Sequence, residues 1–195
     1  MFEFLRWFAA ILILATTLVL LLSRDWRWSL AVLALQYLAI FSLFLIHWPL
    51  TLSAAKLVTG WMAAAILGVT LSNQADFLPI QSSRLFKLLL ALVVAGAVFQ
   101  GTLVVNDWIP DAGFPLVLAA LLLIGQGLLQ LGMTADPFRV TLGLLTTFSG
   151  FDLLSSPLDN SVLVAALLTA STLGIALAGS YLLTLQFSAE QEPVE

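Results

Sequence analysis

Cysteine does not occur in the 195 residues, which rules out disulfides, iron–sulfur clusters and thiolate metal sites. Histidine occurs once, as His47, and one imidazole cannot build a histidine metal site or a bis-histidine haem. Charge is scarce too. Asp, Glu, Lys and Arg make up 9% of the chain, and the net charge of −4 comes without a basic run able to grip nucleic acid or anionic headgroups. Also missing are a Ser–His–Asp set, a phosphate loop and a nucleotide fingerprint. The chain is therefore expected to carry no catalytic residue, no metal, no cofactor and no nucleic-acid site of its own.

What is abundant is apolar. Hydrophobic residues form 61% of the chain and the mean hydropathy is +1.08, beyond what a soluble core-and-surface domain carries. Crossing about 30 Å of hydrocarbon takes roughly 20 apolar residues per helix, whereas closed barrels show alternating polarity, which this sequence lacks. The expectation is an all-α integral membrane protein embedded in a lipid bilayer. Apolar runs broken by Pro, Gly, Asn and Asp clusters predict seven spans, at 3–22, 26–47, 50–72, 85–106, 114–132, 137–156 and 162–185. The first runs into Ser23-Arg24-Asp25-Trp26 without a small-residue cleavage site, so it reads as a retained helix rather than a signal peptide. The end, 188–195, is acidic and proline-bearing and reads as a disordered tail.

Seven spans place Arg24, Arg27, Arg84, Lys87 and Arg139 on one side, with Arg6 near the other. Cytoplasmic loops are enriched in Lys and Arg, which puts the N-terminus outside the cell membrane and the C-terminus in the cytoplasm. Asp107, Asp111 and Asp159 fall on the opposite side.

An internal repeat is suggested by "DWRWSLAVLALQYLAIF" (Asp25 to Phe41) and "DPFRVTLGLLTTFSGFD" (Asp136 to Asp152), which each open on an acid and an arginine before a full apolar span. Small residues then recur every fourth position in the helices that follow, at Gly60, Ala64, Gly68 and at Ala166, Ala170, Gly174, Ala178. The reading is a three-helix unit over 1–72, a linking helix with its loops over 73–113, and a second unit over 114–187. An even number of spans separates the copies, so the two units should lie parallel.

Few polar side chains stand out. Asp136 before Pro137 suits a helix N-cap, with Arg139 free to snorkel toward phosphates, and Asp25 with Arg27 should serve the first unit in the same way. Lys56 and Asp152 are the deep charges, about 9 Å and roughly 6 Å below the outer boundary at 1.5 Å per residue. A charge at that depth costs about 2.5–3.5 kcal/mol on insertion scales, which favours pairing. Three readings fit: a salt bridge between the units, separate snorkelling to the headgroups, or an ion path completed by a neighbour. Ser149 shares the stripe of Asp152, and Gln36, Gln100, Gln126 and Gln130 should hydrogen-bond across helices. Trp26, Trp28, Trp48 and Trp108 read as an interfacial belt, with His47 beside it.

The stretch "IGQGLLQLGMTADPFRVTLGLLTTFSGFDLL" resembles the K subunit of complex I and its relatives in cation/proton antiporters and in the E component of energy-converting membrane hydrogenases. Ile124-Gly125 fits that family's first helix, Asp136 to Arg139 its cytoplasmic loop, and Leu142-Gly143-Leu144 the start of its second-helix motif; "LVAALLTASTLGIALAG" is similar to its third helix. The resemblance covers about 115–185 and implies N-out, C-in topology and neighbouring membrane subunits. It also implies buried glutamates, but those slots hold Leu145 and Leu173 or Gly174, so only the displaced Asp152 could ionise near them. The leading expectation is a non-catalytic subunit of such an ion-translocating, at most oxidoreductase, assembly, mainly scaffold with a modified proton path. The alternatives are a self-contained transporter of a small solute or ion built from two parallel repeats, and an assembly factor.

Overall fold

The computed structural model describes residues 2–23, 25–72, 84–158 and 161–191. Arg24, Asp159, residues 192–195 of the expected tail and the loop 73–83 lie outside them. The described residues form seven α-helices: α1 (Phe2–Leu22), α2 (Trp26–His47), α3 (Leu50–Ser72), α4 (Arg84–Trp108), α5 (Phe114–Gly132), α6 (Pro137–Ser155) and α7 (Val162–Gln191). A single 3-10 turn, Pro110–Ala112, precedes α5, and no strand occurs among the described residues. The fold is all-α.

Five helices, α2, α3, α4, α5 and α7, are long and apolar enough to cross a membrane. The two others differ for separate reasons. The described part of α1, Arg6–Leu22, is apolar but shorter. In α6 the apolar run is diluted by Arg139, Thr141, Thr146, Thr147, Ser149 and Asp152. Several apolar helices in one chain are compatible with a multi-pass membrane protein in a lipid bilayer. At the far end α7 continues to Gln191, so residues 188–191 of the expected disordered tail are helical.

Helix ends follow local chemistry. α6 opens on Asp136, whose extended backbone (φ −66, ψ 121) marks an N-cap; its Oδ2 accepts from the Arg139 amide at 3.3 Å, and Pro137 occupies the first turn. Asp25 holds the same position before α2, yet its side chain makes no cap hydrogen bond. Instead its backbone carbonyl accepts from Ser29 Oγ at 3.0 Å and Ser23 Oγ at 3.2 Å, and Arg27 lies over the Trp26 ring at 5.2 Å. The two corners thus share a sequence pattern but not a mechanism: at Asp136 the side chain caps an amide, whereas at Asp25 the contacts go to the backbone carbonyl.

Packing is ordered by the two halves of the chain. α1 packs on α2 and α2 on α3; likewise α5 packs on α6 and α6 on α7. Between halves, α1 meets α5, α2 meets α6 and α3 meets α7, each helix touching its counterpart about 110 residues on. α1 and α5 are joined at both ends, by the Trp7 and Phe114 rings (5.9 Å) at one and by Arg139 with Ser23 at the other, so they run the same way. Thr70, near the end of α3, and Ser180, in the second half of α7, share a hydroxyl hydrogen bond of 2.6 Å. α4 lies outside this double row, against α5 and, less, α1.

The tightest helix pair is α5 with α6, where small residues let backbones meet. A side chain at Gly127 would run into the Thr147 backbone nitrogen and the Gly143 carbonyl; one at Gly150 would meet the Ala120 carbonyl and Leu123. The two expected small-residue ladders behave differently. In α3, Gly60 receives the Tyr37 ring and Ala64 is buried. In α7, Ala166, Ala170, Gly174 and Ala178 all face out, and the buried face is Ala165, Leu168, Thr172, Ala176, Gly179 and Leu183. Spacing by four marks a face on either helix, but in an apolar helix it does not say which way that face looks.

Candidate functional site

The site grows from two buried stripes. α3 begins just after Pro49 and turns Ser53, Lys56, Gly60, Ala63, Leu67 and Leu71 inward at steps of three or four residues. α6 does the same with Leu142, Leu145, Ser149 and Asp152. Where the stripes face each other, Lys56 Nζ donates to Asp152 Oδ2 at 2.7 Å, with side chains only 6% and 7% exposed. The structure therefore brings the two deep charges together, as their similar depth permits. The pair joins the two halves of the chain.

Its surroundings are partly aromatic and partly polar. Lys56 Nζ lies 5.8 Å from the centre of the Trp48 ring, which stacks on Phe44 at 5.1 Å. A cavity of about 10 Å³, at the lower limit for one water molecule, is lined by Tyr37, Lys56, Thr59, Ser149, Asp152 and Thr172. Two polar atoms of this lining, Asp152 Oδ1 and the Tyr37 hydroxyl, are buried without a hydrogen-bond partner. Buried oxygens of that kind are costly unless hydrated or used, and here they stand beside a buried ion pair. It can hold a charge, exchange a proton through a water, or both; it has no room for a larger solute.

Other expected residues fall elsewhere. Ser149 lines the cavity while donating to the Thr146 carbonyl at 2.9 Å. Gln126 donates to the Ala91 carbonyl at 2.8 Å and ties α5 to α4. Gln36 and Gln130 are buried, yet both polar atoms of Gln36 and the Nε2 of Gln130 lack a partner among the described residues. Leu145, in the first glutamate slot of the resembling family, is fully buried, whereas Gly174, at the second, is exposed with nothing around it. No group of His, Asp or Glu among the described residues could hold a metal ion.

Two residues have different roles from those expected. Arg139 does not reach outward for phosphates: its Nη2 donates to the Ser23 carbonyl at 2.9 Å and clasps the α1–α2 corner to the α5–α6 corner. The carbonyl just past α1 is a free acceptor near a cation, a stronger claim on the guanidinium than mobile solvent. Arg139→Met is therefore expected to cost about 1.5–3 kcal/mol of stability, the worth of a charge-assisted hydrogen bond, measured as a lowered midpoint of denaturation in detergent. Trp48 is no belt residue either. It is buried, and its Nε1 donates to the Ser156 carbonyl at 3.0 Å, locking the α2–α3 turn to the end of α6. Trp28 and Trp108 are exposed at helix ends, as an interfacial belt requires.

Tyr37 was not legible as part of this site. Its one sequence signal is a phenol in the middle of an otherwise apolar helix, next to Gln36; its place across from Asp152 depends on Gly60 leaving room for the ring. No family model, curated protein or solved structure matches the chain.

Proposed function

We propose that the chain is a multi-pass membrane subunit of an ion-translocating assembly, of the complex I-like, antiporter-like or hydrogenase-like kind, with Lys56 and Asp152 as its ionisable element. One observation carries the reading: a buried Lys–Asp pair beside a water-sized cavity, with a second carboxylate oxygen and a phenol left unpartnered. Ionisable groups inside a membrane are costly and mark ion or proton paths. The K-subunit resemblance supports it from the sequence side, with the acid displaced from Leu145 to Asp152. In this reading all seven helices span, the corner joined by Arg139 and Ser23 is cytoplasmic, the N-terminus is outside, and neighbouring subunits supply redox centres and most of the path. The chain is chiefly scaffold.

The counterpart contacts of α1 with α5, α2 with α6 and α3 with α7 favour a second reading, a self-contained transporter of two parallel repeats. The size of the cavity limits its cargo to a proton or a very small ion. Reconstitution separates the two. The purified chain alone in liposomes should pass no protons, whereas membranes containing the intact assembly should show a measurably lower proton flux in Asp152→Asn, as expected of an ionisable group that forms part of the path. Proton flux through the isolated chain would favour the transporter, and an unchanged flux in Asp152→Asn would sink the role of the pair in either.

A further inference from the structure

Thr59, Ser149 and Thr172 line the cavity beside the ion pair from α3, α6 and α7, and each is at most 6% exposed. All three hydroxyls commit their hydrogen to a carbonyl of their own helix. Thr59 Oγ1 donates to Ala55 at 2.7 Å, Ser149 Oγ to Thr146 at 2.9 Å and Thr172 Oγ1 to Leu168 at 3.0 Å. A hydroxyl used in this way has only lone pairs left to offer. Asp152 Oδ1, buried and without a donor, is a fourth oxygen that can only accept. The Tyr37 hydroxyl, equally unpartnered, brings a fifth oxygen to the same lining.

Acceptors gathered around a space the size of one water molecule favour something positive. Lys56 carries the positive charge nearest to them, but among the described residues its one hydrogen bond goes to Asp152 Oδ2 and to none of these five oxygens. A divalent metal does not suit the place. Calcium takes about 6–8 oxygens and magnesium keeps several waters, and the single carboxylate is already balanced by Lys56. A sodium ion is smaller than a water molecule and is held by neutral oxygens with at most one carboxylate, not by the acid or histidine clusters of divalent sites.

We infer that this cavity is a sodium site, with Asp152 Oδ1, Thr59, Ser149 and Thr172 as its ligands, and that the ion takes the place of a proton on Lys56. One carboxylate balances one positive charge. Sodium and the Lys56 ammonium together would leave a net charge buried within the bundle, which is costly. When the ion enters, Lys56 Nζ therefore releases one proton to solvent and remains as a neutral amine. The N–H bond is the only covalent bond broken, and the charge of the site is unchanged. Facing Lys56 across the cavity, the titratable groups are Asp152 from α6 and Tyr37 from α2, while α7 presents the Thr172 hydroxyl. The inference rests on the pair being ionisable, as proposed above, but not on any ion crossing the membrane.

The test uses the purified full chain in detergent with radioactive sodium. Binding should saturate at one ion per chain, and each ion bound should release one proton into weakly buffered solution. Thr172→Val, close in shape but without the hydroxyl, should bind about tenfold more weakly, the size of one contact to a charged group. Lys56→Met should bind sodium without releasing a proton, and its denaturation midpoint should rise in sodium chloride but not in choline chloride of equal ionic strength, since a ligand of the folded state stabilises it. No binding in the natural chain and in Lys56→Met would overturn the site, as would binding that survives Asp152→Leu. Sodium bound by the natural chain without proton release would overturn the exchange. Proton flux of the assembly that depends on Asp152, with no sodium bound, would strike this inference alone. Sodium bound with flux unchanged in Asp152→Asn would strike only the ion-path reading.

Discussion

Removing one member of the Lys56–Asp152 pair will destabilise the folded chain by about 3 kcal/mol or more, because the survivor is left as a buried charge with no counterion. Lys56→Met and Asp152→Leu should each lower the denaturation midpoint in detergent strongly, and the double variant should recover most of the loss, since a buried pair is often replaceable by apolar residues of similar size. The cycle also separates structure from function. If the pair only joins α3 to α6, the double variant restores both stability and the flux of the intact assembly. If the pair is an ionisable element, stability returns and flux does not. Equal midpoints for single and double variants would show that water or lipid headgroups already solvate each charge on its own.

A change of similar size is expected at Gly127, for a packing reason. A side chain there meets Thr147 N and the Gly143 carbonyl, backbone atoms that cannot rotate aside. Gly127→Val must therefore push α5 and α6 apart along their most extensive contact. Overpacking typically costs about 1–3 kcal/mol, and more where the backbone itself must move. The same substitution at Gly132, where a side chain meets nothing within 4 Å, is the control and should be nearly silent. Yield of folded protein and its midpoint would measure both. Equal loss at the two positions would mean that glycine matters here for the backbone rather than for close packing.

Much of the helical frame was legible in the residues. The apolar runs at 26–47, 50–72 and 114–132 became α2, α3 and α5 with the same bounds, because Asp25, Pro49, Gly113 and Asp136 punctuate the chain where helices stop or start. α7 outran its apolar segment because hydropathy measures a stretch of lipid contact, whereas a helix continues through Gln186, Ser188 and Gln191 for as long as nothing breaks it. The depth of Lys56 and Asp152 followed from counting turns, which is why their meeting could be anticipated. Which face of α7 looks inward could not, since both of its faces are apolar and its burial is set by packing against α3 and α6, residues distant in sequence. Arg139 and Trp48 were misjudged alike: each carries a group that suits an interface, and each instead found a backbone carbonyl more than 100 residues away in sequence.

That sequence distance bears on how the protein is made. The polar links between the halves, Arg139 to Ser23, Trp48 to Ser156, Lys56 to Asp152 and Thr70 to Ser180, all join residues about 100 positions apart. At translation rates of about 5–20 residues per second, Lys56 is synthesised roughly 5–20 s before its carboxylate. During that interval its ammonium lacks its counterion, and α3 has α2 to pack against, with the Trp61 indole donating to the Ala34 carbonyl at 3.2 Å. The first half of the chain thus stays without its polar ties until α6 and α7 are made.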